Sequence, residues 1–228
     1  MKLRKEEIQR KVLHLIFGIV IPAGIFYIPN YAAEASWVPG GIKPEYYPVL
    51  ILAFFTFLFL GGEILRFRVA FMKGVVNKMF GSMMRPDEER KFSGATYICM
   101  SSLLCSIIFI NRPHIAAMAL WLFIWGDAAA ALVGISMGKI KIGKKSLEGS
   151  VACFICCGIL LMAVFPHMPG LLSAWSGTIS LPLALITAAA ITVMELFPIT
   201  IKNFEINDNL TVPVITGFLM AWLNPFLG

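Results

Sequence analysis

The chain has 228 residues, of which 58 % are apolar and 14 % charged, against roughly half and a quarter in an ordinary soluble protein. One water-soluble core of this size cannot hide that excess, and a mean hydropathy of +0.81 excludes a soluble fold of one or two domains. The net charge of +6 is accordingly a matter of membrane topology before it is one of partners, and nucleic-acid binding is a poor explanation of it.

Apolar runs recur along the chain, each near the ~20 residues needed to cross ~30 Å of hydrocarbon. We read spans at 12–28, 47–65, 94–111, 114–135, 150–166, 180–198 and 209–226, which makes an all-α, polytopic transmembrane helical bundle of about seven spans in a single domain, 1–228. With the N-terminus cytoplasmic, the inner segments hold seventeen of the nineteen basic residues, and the outer ones keep only Lys43 and Arg112. That asymmetry follows the positive-inside rule and supports an odd number of spans. The basic inner rim also suits anionic lipid headgroups. A cleavable leader ending near Ala33-Glu34-Ala35 is disfavoured by Glu6, Glu7 and Pro29.

Span one opens with Arg10, Lys11 and His14. A lone histidine here serves equally as an interhelical hydrogen-bonding group or as a site residue. Span two ends with Glu63 and Arg66, three apart on one helix face and able to neutralise one another. The inner segment at about 66–93 follows, with a helix-permissive stretch at 67–84 that suits an interfacial helix, ended by Pro86 and a charged turn.

Span four carries Asp127, with a long apolar flank on either side. A carboxylate at membrane depth is costly and usually functional. Gly126, Ala130, Gly134 and Gly138 recur every four residues beside it, a stripe on which another helix can approach closely. The loop beyond reads Gly138-Lys139-Ile140-Lys141-Ile142-Gly143-Lys144-Lys145-Ser146-Leu147-Glu148-Gly149-Ser150. Lysines, a hydroxyl and glycines in this density suit polyphosphate binding. The spacing is not that of a Walker P-loop.

Cys153, Cys156 and Cys157 follow in span five, and Cys99 and Cys105 lie in span three. They read as small packing residues, since a zinc site would need a complete ligand set. Span six ends with Glu195 and Pro198, and span seven begins with Asp208 and Asn209. Their hard oxygens suit magnesium, with a nucleotide polyphosphate supplying the remaining ligands. Together with Asp127 and Glu148 they place four carboxylates beside a lysine-rich loop, a recipe for phosphoryl transfer. No internal repeat stands out.

Five segments taken together resemble the polyprenol kinase group, which includes dolichol kinase, phytol kinase and the CTP-dependent diacylglycerol kinase. They are Arg10-Lys11-x-x-His14; Ser93-Gly94-Ala95 with Tyr97; Gly126-Asp127-Ala128-Ala129-Ala130 through Gly134; Lys144-Lys145-Ser146-Leu147-Glu148-Gly149-Ser150; and Glu195-x-x-Pro198 followed by Asp208-Asn209-Leu210-Thr211-Val212-Pro213. The resemblance spans nearly the whole chain, and the order and spacing of its last three blocks are specific. It departs where many relatives carry basic residues after the equivalent of Gly134, since Ile135-Ser136 stand there.

The resemblance implies a cytoplasm-facing nucleotide site, CTP as phosphoryl donor with magnesium, and a membrane lipid alcohol as acceptor: phytol, a polyprenol, dolichol or diacylglycerol. The expected catalytic residues are Asp127, Lys145 and Glu148. Arg10, Lys11, His14, Lys144 and Ser146 would contact the nucleotide or phosphates. Asp127, Glu195, Asp208 and Asn209 would organise the metal, with Asp127 either ligating magnesium or accepting the hydroxyl proton. The alternatives are a phosphatidate cytidylyltransferase, which attacks a different phosphate of CTP, a transporter using the intramembrane Asp127, and a membrane subunit without catalysis.

Overall fold

The computed structural model describes residues 5–35, 41–80, 91–143, 145–201 and 204–227, without the side chains of 5–14, 72, 77–80, 201, 204 and 205. Eight α-helices are described: α1 (Lys5–Glu34), α2 (Tyr46–Arg68), α3 (Ala70–Phe80), α4 (Gly94–Ile108), α5 (Pro113–Ser136), α6 (Leu147–Ile159), α7 (Leu181–Leu196) and α8 (Asp208–Leu227). The fold is all-α, apart from two antiparallel ladders of two residues per strand. These are β1 (Lys141–Ile142) with β2 (Lys145–Ser146), and β3 (Thr200–Ile201) with β4 (Phe204–Glu205).

Every apolar run read from the sequence is a helix. Among the described residues, Leu15–Glu34, Tyr46–Arg68, Pro113–Ser136, Leu147–His167 and Asp208–Leu227 are long and apolar enough to cross a membrane. The helices expected as spans three and six, α4 and α7, are shorter, at 15 and 16 residues. Each stops at a turn that breaks the helix, near Asn111-Arg112-Pro113 for α4 and at Phe197-Pro198 for α7. The fifth run does not stop at the end of α6. It continues through a wider π turn at Leu160–Val164 into a single 3-10 turn at Phe165–His167. Within the stretch expected to lie at the interface, α3 is helical, while residues 81–90, with the expected end of that helix, Pro86 and most of the charged turn, lie outside the described residues.

Local signals fix the helix starts. Ser93, Ser146 and Ser180 are N-caps whose hydroxyls accept the N–H of Thr96, Gly149 and Leu183, satisfying donors that a helix cannot pair internally. Pro113 and Pro182 occupy the first turns of α5 and α7, where a missing N–H costs nothing.

The core is built around α5. Its residues 115–124 are buried on every side, as expected for a helix apolar all round, and α1, α4, α6, α7 and α8 pack about it. The small-residue stripe on α5 receives α6, which carries a complementary series. A Cβ on Gly126 would stand 3.0 Å from Cys153 Sγ and 3.1 Å from Cys157 Sγ, and a Cβ on Gly149 would stand 2.7 Å from the Ala130 carbonyl oxygen. The cysteines are thus packing residues in this contact, and Cys157 donates to the Leu122 carbonyl at 3.5 Å.

Candidate active site

The α5–α6 contact determines where the connecting loop goes. With Gly134 and Gly149 in close approach, Ser146 is buried at 3 % exposure against α5. The chain between them folds into the β1–β2 hairpin, pairing Lys141 with Ser146 and Ile142 with Lys145. Leu147 N–H donates to the Ile140 carbonyl at 2.9 Å and extends the pairing by one step. Gly143 turns the hairpin at φ +60, a conformation natural to glycine.

Glu148, in the first turn of α6, closes this loop from the other side. Its carboxylate accepts the backbone N–H of Lys139 at 3.0 Å and of Ile140 at 3.1 Å. The glutamate expected to act in catalysis is therefore engaged with the loop backbone. Ser146, expected on phosphate, spends its hydroxyl on the Gly149 N–H at 3.2 Å.

The hairpin carries Lys145 onto α7 and α8. Lys145 Nζ lies 2.5 Å from Glu195 Oε1 and 3.4 Å from Asp208 Oδ2. Burial alone would lower the ammonium pKa, but Glu195, with Asp208 and then Asp127 behind it, outweighs burial and holds it above the ordinary lysine value. Lys145 is therefore suited to hold its charge beside phosphates rather than to accept a proton. Glu195 is 3 % exposed, and its Oε2 has no hydrogen-bond partner among the described residues.

Asp208 sits in the first turn of α8, which Asn207 caps by accepting the Asn209 N–H at 3.0 Å. Asn209 in turn donates through Nδ2 to the Gly94 carbonyl at 3.4 Å. That bond ties the start of α8 to the start of α4, so Asn209 is a strut between helices. Beneath it, Glu63 pairs with Arg66 and accepts the Ser93 N–H at 3.2 Å and the Thr96 hydroxyl at 3.3 Å. Arg66 also donates to the Lys91 carbonyl at 3.1 Å. Helices α6 and α8 thus begin beside Lys145, and the start of α4 is joined to that of α8 through Asn209. Each N-terminus carries partial positive charge and suits phosphate.

Of the residues expected at the site, the structure brings together Asp127, Lys145, Glu195 and Asp208, with Ser146, Glu148 and Asn209 holding the surrounding backbone. Lys144 lies outside the described residues, as do the side chains of Arg10, Lys11 and His14 on α1. Asn207 and the links from Glu63 and Arg66 to α4 are additions. Asn207 was legible as an Asn before an apolar helical run; the α2–α4 links carry no sequence signal beyond the acid–base pair.

Among the described residues, no three His, Cys, Asp or Glu side chains are grouped closely enough to cage a metal. Magnesium bound with a nucleotide asks less, one or two carboxylates beside the phosphates. Glu195 and Asp208 share one cation, and Glu195 keeps an unpaired buried oxygen. The donor set fits magnesium carried by a polyphosphate and does not fit an all-protein cage.

No family model matches the chain, and no solved structure matches it. Among curated proteins it is similar to CTP-dependent diacylglycerol kinase 1 of Schizosaccharomyces pombe, 28 % identical over 224 residues, which is 95 % of this chain and 93 % of that protein. The protein of the same name in Saccharomyces cerevisiae is 27 % identical over 95 % of this chain and 73 % of its own length. That of Eremothecium gossypii is 26 % identical over 97 % and 68 %. With similarity that runs nearly end to end, the chain is a homologue of CTP-dependent diacylglycerol kinases, in keeping with its resemblance to the polyprenol kinase group.

Proposed function

We propose that this membrane protein is a CTP-dependent lipid kinase, which transfers the terminal phosphoryl group of CTP to the hydroxyl of diacylglycerol. The observation that carries the reading is the meeting of Lys145 with Glu195 and Asp208, within the field of Asp127, where α6 and α8 begin. A phosphoryl-transfer site has little covalent work to do beyond positioning and charge neutralisation, and this arrangement offers both.

The nucleotide phosphates lie across the starts of α4, α6 and α8, where backbone N–H groups and helix dipoles favour anions. Lys145 and Lys144 supply cationic contacts, and Glu148 keeps the hairpin in register by holding Lys139 and Ile140. Arg10, Lys11 and His14 steady the nucleotide or the new lipid phosphate. Asp127 either takes the proton leaving the attacking hydroxyl or contributes to the metal set with Glu195 and Asp208. When bound there, magnesium neutralises charge on the transferring phosphate. The acyl chains stay among the helices, and the site faces the cytoplasm, where the basic residues collect.

Diacylglycerol is preferred over phytol, long polyprenols or dolichol because the named relatives are diacylglycerol kinases. The test offers these lipids in parallel to purified protein with magnesium and CTP and measures phosphorylated lipid. Phosphatidate as the main product supports the assignment; preferential phosphorylation of phytol or a polyprenol overturns the acceptor and keeps the kinase.

A further inference from the structure

Glu195 and Asp208, the carboxylates assigned above to the metal, are already joined by a cation of the chain itself. Lys145 Nζ stands 2.5 Å from one and 3.4 Å from the other. Magnesium binds oxygen at about 2.0–2.1 Å in a near-octahedral shell. An ammonium held this close to Glu195 Oε1 would sit inside that shell, with two like charges in contact in a partly buried setting where repulsion is poorly screened. Lysine and metal therefore exclude one another at Glu195 Oε1 and Asp208 Oδ2, and with Lys145 in place a metal is left the unpaired Oε2 of Glu195.

The two partners differ in freedom. The Glu195 side chain is 4 % exposed, whereas that of Lys145 is 26 % exposed. Lys145 also belongs to a two-residue strand beside the Gly143 turn. The lysine can leave; the glutamate stays.

Resting on the kinase reading, we propose that Lys145 competes with magnesium for Glu195 and Asp208, and that the displaced ammonium moves onto the phosphates of the nucleotide. Metal alone must strip Lys145 of both partners before both carboxylates can hold it, and so binds weakly. Metal with nucleotide gives Lys145 new anionic partners, so each favours the other by the same factor, as linkage requires. The site is thereby kept from filling with free metal and is assembled only with the donor present.

The experiment measures free Mn2+ by electron paramagnetic resonance over purified full-length protein in detergent, with and without CTP, for the wild type, Lys145→Gln and Lys145→Arg. In Lys145→Gln, Mn2+ without nucleotide is expected to bind about tenfold tighter than in the wild type, with coupling to CTP reduced by a similar factor, within the usual 5–150-fold range of such couplings. Lys145→Arg retains the charge and forks onto carboxylates, so it is expected to fold even if the glutamine variant does not, and to bind Mn2+ alone about fivefold more weakly than the wild type. Mn2+ affinities unchanged in the folded variants, with Mn2+ still bound by the wild type in the presence of CTP, overturn the competition and leave the kinase reading standing. No Mn2+ bound by the wild type even with CTP removes Glu195 and Asp208 as metal ligands and the competition with them.

Discussion

Both carboxylate oxygens of Glu148 accept the same backbone N–H, that of Ile140, at 3.1 and 3.3 Å across eight residues of chain. The glutamate thereby acts on the geometry of the loop that carries Lys145. Glu148→Ala leaves the Lys139 and Ile140 N–H groups without this acceptor and lets the hairpin drift. A displacement of about 1 Å is enough to lower transfer by roughly 10²-fold. The expected result is a large fall in kcat with the folded fraction retained, and Glu148→Gln, which keeps one acceptor oxygen, is expected to recover part of it. Steady-state kinetics of both variants checks this.

The α5–α6 contact is equally specific. Gly149→Ala places a methyl 2.7 Å from the Ala130 carbonyl oxygen, against backbone that cannot rotate away. Overpacking of this kind costs about 1–3 kcal/mol. Gly158, on the same helix, meets nothing within 4 Å, so Gly158→Ala is expected to leave stability unchanged or to raise it through helix propensity. Thermal unfolding of the two variants in one detergent makes the comparison.

Arg66 is 4 % exposed and pairs with Glu63 beneath the start of α4. Removing one member of a buried pair leaves an uncompensated charge, at about 3–5 kcal/mol, whereas replacing both with apolar residues costs less. Arg66→Leu is expected to destabilise more than the Glu63→Leu/Arg66→Leu double variant. Unfolding midpoints of the single and double variants give the ordering directly.

Asp127→Asn keeps size and polarity but loses the charge that acts on Lys145. Transfer is expected to fall to background while the protein remains folded. Normal activity in that variant would remove Asp127 from the mechanism, as metal ligand and as proton acceptor alike.

Much of the fold was legible because length and hydropathy suffice for apolar helices, and the serines at 93, 146 and 180 mark their starts in the sequence itself. The shortness of α4 and α7 followed from turn chemistry at Arg112-Pro113 and Phe197-Pro198, which hydropathy overruns. The stripe of Gly126, Ala130, Gly134 and Gly138 announced a close helix contact, and α6 with Gly149, Cys153 and Cys157 makes it. At the site, residue types were legible and partners were not. Lys145 meets Glu195 and Asp208 across 50 and 63 residues, a pairing that no local pattern encodes. Acidic and amide side chains near a lysine-rich loop suit metal binding and catalysis, which is what the sequence leads one to expect of Glu148 and Asn209. Their hydrogen bonds to backbone 8 and 115 residues away belong to the tertiary fold.

The central claim is that the terminal phosphate of CTP moves to lipid. Its most direct test supplies purified protein with magnesium, diacylglycerol and phosphatidate, using CTP labelled with one phosphorus isotope at the γ position and another at the α position, and counts each isotope in the lipid phase. The γ label alone in lipid, with CDP released, is the result expected of this site; the α label in lipid, with pyrophosphate released, would contradict it and identify a cytidylyltransferase.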